Sequence, residues 1–125
     1  MTHPERVTGY LEDIAECIKR ATGYLREIDD FSVFEQDHRN QDAVLRNIMI
    51  IGEAVAKIQR AAPEFIEAHP DVPWAQIRAM RNLVIHEYSY VDLRIVWQTV
   101  KDAMPVMKQQ IEDLLSQHHQ ARKQS

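Results

Sequence analysis

The stretch RNLVIHEY, residues 81–88, sets an arginine, an asparagine, a histidine and a tyrosine among three aliphatic residues, with Arg78 three positions upstream of Arg81. At about 100° per residue, Arg78, Asn82 and His86 fall in one i, i+4 row of a helix, and Arg81 stands on the adjacent row. Arg81 and His86 are five apart, about 140° around the axis, so they meet on one ligand only by reaching around a groove or where the helix ends near His86. A second subunit would close such a groove. Histidine exchanges protons near neutral pH, and arginine grips a phosphate through paired hydrogen bonds and stabilises charge that develops on it. RNA carries its own nucleophile, the 2′-hydroxyl beside the scissile phosphate, so a base and an anion clamp suffice to cut it. The same residues also fit a purely structural helix end: a histidine near a C-terminus pairs with the dipole, helix arginines are solvated, and Tyr88 is a core ring with a wet hydroxyl. Spacing alone does not separate the two readings.

Other chemistries lack their residues. The chain has no glycine-rich phosphate loop, no clustered carboxylates at metal-ligand spacing and no Cys/His arrangement, so acid/base work without metal or cofactor is what remains for the motif. His118 and His119 form a pair in the C-terminal tail without another nearby ligand, and His3, His38 and His69 are scattered. Glu53 in IGEA either orients the motif side chains or is a solvated helix glutamate, and Trp74 and Trp97 read as core or interface rings rather than base-stacking platforms.

The elements that must position the motif are helical. Only three glycines and five prolines punctuate 125 residues, and apolar residues recur at three- and four-residue spacing. Pro4 opens a first helix whose stripe Val7, Leu11, Ile14, Ile18, Ala21, Leu25 and Ile28 runs to about Asp29. SVFE, residues 32–35, has a capping-box pattern for a short helical turn. A long helix over roughly 38–61 buries Val44, Leu45, Ile48, Ile51, Val55 and Ile58, with Gly52 on the same side marking a close neighbouring helix. Pro63 to Pro70 brackets one or two turns, Pro73 opens the motif helix, and Asp92 caps a last helix that Pro105 kinks. Four main helices with short connections predict an all-α antiparallel bundle, a single domain over 1–117 followed by a flexible tail over 118–125.

The formal charge of −4 argues against coating nucleic acid by charge alone, but its distribution is uneven: 1–30 and 31–71 each net −3, whereas 72–97 and 98–125 each net +1. The motif lies in the less acidic half. A single cysteine, Cys17, forms no internal disulfide and fits a reducing compartment. With no signal-peptide pattern and no apolar stretch near the ~20 residues that span a bilayer, the expectation is a cytoplasmic protein without a membrane partner.

The ordered set of segments resembles a known family. RNLVIHEY matches the R-x4-H-x-Y motif of the HEPN superfamily in its HepT-like toxin branch, the ribonuclease toxins of the HepT/MntA (type VII) toxin–antitoxin systems. AVLRNIMIIGEAVAKI at 43–58, PWAQIRAMRN at 73–82, VW at 96–97 and the later Pro105 extend the likeness over most of the chain. The resemblance implies a metal-independent endoribonuclease working as a homodimer, with Arg81 and His86 as catalytic residues from the two protomers meeting in a cleft. Asn82 would assist catalysis and Arg78 would bind substrate. It further implies an MNT-type nucleotidyltransferase antitoxin that transfers AMP groups from ATP to Tyr88. Glu87, at the variable position, adds an acidic group near the site. The alternative is a non-catalytic helical module that holds a nucleotidyltransferase; the intact set of Arg81, Asn82, His86 and Tyr88 favours the enzyme, since a scaffold has no need of it.

Overall fold

The computed structural model describes the backbone over residues 6–86 and 91–124 and side chains over 6–82 and 91–117. Among these residues every regular element is helical: α1 (Val7–Tyr24), α2 (Phe31–Glu35), α3 (His38–Ala61), α4 (Pro63–Ala68), α5 (Trp74–His86), α6 (Leu93–Gln98) and α7 (Met104–Gln124). The long helices form an antiparallel bundle. α1 packs on α3 and on α7, and α3 packs on α5. Side-chain pairings give the directions: Lys57 near the end of α3 lies over Tyr10 near the start of α1, and Lys101, just before α7, donates to the Leu25 carbonyl just past α1.

Local chemistry sets the boundaries. Asp37 caps α3 by accepting from the Asn40 backbone N–H at 3.1 Å, and that bond holds the Asp37 carboxyl below its usual range. Pro63 occupies the first turn of α4, where its missing N–H costs nothing, and Asp92 caps α6 by accepting from Arg94 and Ile95. α1 stops at Tyr24, earlier than the apolar stripe suggests. Gly23 supplies no helix-favouring side chain there, and the chain turns through bonds from Arg26 N–H to the Gly23 carbonyl and from Ile28 N–H to the Leu25 carbonyl. Leu25 remains buried, whereas Ile28 only packs against the core's edge. At α2 the cap is Asp30, accepting from Ser32 N–H at 3.0 Å, so SVFE lies inside the helix instead of opening it.

Pro105 is accommodated in the last rod by a change of helix type. Its ring would collide with the carbonyl four residues back, that of Lys101, and residues Thr99–Ala103 widen into a π-helical turn with Met104 N–H bonded to the Thr99 carbonyl. α6, this turn and α7 thus form one continuous fourth rod, helical in backbone through most of the stretch read as a tail.

The core is one cluster. Leu11, Ile14, Ile18, Phe34, Val55, Ile58, Met104 and Ile111 are fully buried, each contributing about 1.5–3 kcal/mol by leaving water. Phe31, Phe34 and Trp97 meet as a cluster of rings with centroids 5.5–6.4 Å apart, beneath α2. Trp74 is buried at the start of α5, its indole N–H donating to the His69 carbonyl at 2.9 Å. Cys17 is buried, and desolvation raises its thiol pKa, which keeps it an inert apolar filler. Among the described residues no helix is long and apolar enough to cross a membrane.

Candidate functional site

The polar row of α5 faces α3, and one glycine lets it come close. A Cβ built on Gly52 would stand 2.1 Å from the Arg81 Cβ and 2.8 Å from its Cγ, distances no pair of carbons tolerates. The stem of Arg81 therefore lies directly on the α3 backbone at Gly52. Glycine costs an interior helix position up to ~1 kcal/mol relative to alanine, and here that loss is exchanged for the seat of an arginine.

The next residue of α3 fixes the arginine's head. Arg81 Nη1 donates to Glu53 Oε1 at 2.8 Å, and Arg81 Nη2 donates to Asn82 Oδ1 at 3.1 Å. The Arg81 side chain is 21% exposed and that of Glu53 43%, so the pair sits at the surface with the arginine the more enclosed partner. Arg81 Nε is buried and has no hydrogen-bond partner among the described residues. The guanidinium is thus held from two sides while its buried Nε–H remains unmet. Such an arginine is preorganised: its long side chain no longer has to be ordered when an anion arrives.

Arg78 and Asn82, one turn apart, line a shallow depression of about 230 Å³ with Gln59, Ile66 and Trp74. Arg78 is tied there by a hydrogen bond from Nη1 to Gln59 Oε1. The structure brings Arg78, Arg81 and Asn82 to one flank of α5 against α3. His86 is the last residue of α5, four beyond Asn82 on the same row and about 6 Å further along the axis. Its side chain lies outside the described residues, as does Tyr88 altogether, and the same holds for the side chains of His118 and His119. Among the described residues no group of three His, Cys, Asp or Glu side chains is placed to hold a metal ion.

Three contributors, Gln59, Glu53 and Gly52, lie outside the motif. Gln59 carries no sequence signal as the anchor of Arg78. Glu53 and Gly52 do carry one, the adjacent glycine and glutamate of IIGEAVAKI, yet nothing in their spacing names Arg81 as the shared partner.

Comparison with known proteins adds a second kind of information. Residues 14–114 match the family model described as ribonuclease HepT-like. A probable ribonuclease HepT of Thermococcus cleftensis is 43% identical over 105 residues, which covers 84% of this chain and 92% of that protein. A putative RNase of Caldanaerobacter subterraneus subsp. tengcongensis is 38% identical over 110 residues, covering 85% and 91%. A putative RNase of Methanocaldococcus jannaschii is 33% identical over 106 residues, covering 85% and 94%. No solved structure matches the chain.

Proposed function

The chain belongs to the ribonuclease HepT-like family, and from that premise we propose that it is a metal-independent endoribonuclease, the toxin of a toxin–antitoxin pair. The observation that carries this reading is the seat of Arg81: a glycine opens the α3 surface for its stem, and Glu53 and Asn82 hold its guanidinium on the helix that ends at His86. A surface arginine with no task needs neither the glycine nor the clamp.

In the proposed reaction a scissile phosphate binds at Arg81, with Arg78 and Asn82 contacting its oxygens or those of a neighbour. His86 takes the proton of the adjacent 2′-hydroxyl as the 2′-oxygen attacks phosphorus. The bond to the 5′-oxygen breaks, that oxygen acquires a proton, and the products are a 2′,3′-cyclic phosphate and a 5′-hydroxyl. The attacking oxygen comes from RNA itself, so no metal-bound water is called for. Arg81 and His86 act across the cleft of a homodimer, which gives an otherwise convex helix flank an opposite wall.

Control is proposed at Tyr88. A nucleotidyltransferase partner transfers AMP from ATP to the tyrosine hydroxyl, forming a phosphodiester and releasing pyrophosphate. The added negative charge competes with RNA for Arg81, and its bulk fills the cleft. This silences the enzyme without unfolding it.

The test is RNA cleavage by the purified protein in EDTA, with end-group analysis. The expected result is undiminished cleavage leaving 2′,3′-cyclic phosphate or its hydrolysis product from a dimer by light scattering; strict dependence on added magnesium refutes the mechanism. Co-expression with the partner should add AMP mass to the Tyr88 peptide, and Tyr88→Phe should abolish the addition. A Tyr88→Phe protein neutralised as fully as the parent, with no modification anywhere, would overturn the proposed control.

A further inference from the structure

A second cationic cluster lies at the seam of α1 and α3, away from the motif. Arg6, Lys57 and Arg60 line a depression of about 280 Å³ with Tyr10 and Ala61. All three basic side chains are exposed, and Lys57 Nζ stands 5.9 Å from the centre of the half-buried Tyr10 ring. Acidic residues outnumber basic ones 19 to 15 in the whole chain. Even so, none of the three is in an ion pair among the described residues, where the pairs are Arg20–Glu16, Lys108–Glu112 and Arg81–Glu53.

Helix electrostatics account for only part of this. Arg60 lies in the last turn of α3 and gains from the negative end of that helix. Arg6 precedes α1 and sits at the positive end of its dipole, where a cation is disfavoured. Lys57 stands a turn back from the α3 terminus. Arg6, Lys57 and Arg60 repel one another across their shared depression, with the carboxylates of Asp13 and Glu53 lining the depression on the other side of Lys57, and an anion relieves that repulsion.

The cluster is also continuous with the site. Lys57 lines a second depression, about 260 Å³, together with Asp13, Met49, Ile50, Glu53 and Ala54. Glu53 is the residue that holds Arg81. Along α3 the step from Glu53 to Lys57 is about 6 Å and from Lys57 to Arg60 about 4.5 Å. A ligand that starts at Arg81 and carries negative charges at short, regular intervals passes the Glu53 carboxylate, already paired with Arg81, and meets Lys57 and then Arg60 and Arg6 as it follows α3. Single-stranded RNA is such a ligand, and the Tyr10 ring offers a face on which a base can stack.

We propose that Arg6, Lys57 and Arg60 bind the phosphate backbone of single-stranded RNA at a distance from the bond that is cut, favouring longer substrates over minimal ones. The ribonuclease reading above supplies the RNA, and the test is arranged so that the two stand or fall separately. Binding is followed by fluorescence anisotropy with a 2′-O-methyl RNA of about 12 nucleotides, a span that single-strand grooves accommodate, and without a free 2′-hydroxyl to react. Combined Lys57→Glu and Arg60→Glu should weaken binding at least ~10-fold and lower the slope of log affinity against log salt by about 1.4, at ~0.7 per lost phosphate contact. Lys57→Gln with Arg60→Gln should show a smaller change in the same direction. In cleavage, the advantage in kcat/KM of a longer RNA over a dinucleotide should collapse.

Parental affinity and salt slope in folded variants overturn the proposal, as does a parent protein that does not bind the oligonucleotide. So does weakened nucleotidyltransferase binding with RNA binding intact, which would assign the cluster to a protein partner. If binding changes as expected but the parent cuts no RNA, the cluster stands and the ribonuclease reading falls.

Discussion

The two flanks of α5 are built on opposite principles. Toward α3 the helix makes a contact so close that only glycine fits beneath Arg81, and the contact carries charge and hydrogen bonds. Toward α7 it stands off, leaving a groove of about 500 Å³ bordered by Ile77, Met80, Ala103, Val106 and Met107, with Val106 62% exposed. The position of α5, and of the arginine on it, is therefore set by α3, while the α7 side leaves an open groove. The proposed cleavage needs a guanidinium held within a fraction of an ångström, and the α3 flank is the one whose packing allows a single arrangement.

Substitutions on the two flanks should separate accordingly. Gly52→Ala should do the most harm to the fold: its Cβ forces α5 away from α3 or drives Arg81 out, at about 1–3 kcal/mol, more than the ~1 kcal/mol that alanine restores to α3. Urea and thermal melts measure this, and cleavage should fall with it. A Gly52→Ala protein as active as the parent and more stable would break the comparison. Glu53→Gln keeps the shape of the clamp but removes its charge. It should lower kcat about ten-fold while changing stability by less than ~1 kcal/mol, because the ion pair is partly exposed. The smallest effect belongs to the other flank: Val106→Ser should leave stability within about 0.5 kcal/mol of the parent and cleavage at the parental rate.

Legibility in the sequence followed the locality of the physics. The bounds of α3 and α4 are plain because Asp37, Pro63 and Pro70 act on their immediate neighbours, and the buried stripe of α1 follows from helical periodicity. The cap of α2 is ambiguous in the sequence because Asp30 and Ser32 are both good caps two residues apart, and only the backbone decides that Asp30 serves. Pro105 predicts a kink, and the structure instead shows a π turn over 99–103 between α6 and α7, a helix type that no local residue pattern specifies. At the site, the motif spacing groups Arg78 with Asn82 and sets Arg81 beside them, and the structure places these three on one flank of α5, while the His86 side chain and Tyr88 lie outside the described residues. That Gly52 and Glu53 serve Arg81 is a contact between distant parts of the chain, and no local pattern encodes the identity of its partner.

The central claim, that Arg81 and His86 perform the cleavage, is met most directly by single-turnover rates on one RNA for the parent, Arg81→Ala and His86→Ala, each with its melting curve. Proton transfer of this kind is worth ~10²–10⁴-fold and charge stabilisation ~10²–10³-fold, so both variants should lose at least ~10²-fold while melting cooperatively. A folded His86→Ala or Arg81→Ala protein that cuts RNA at the parental rate would contradict the account.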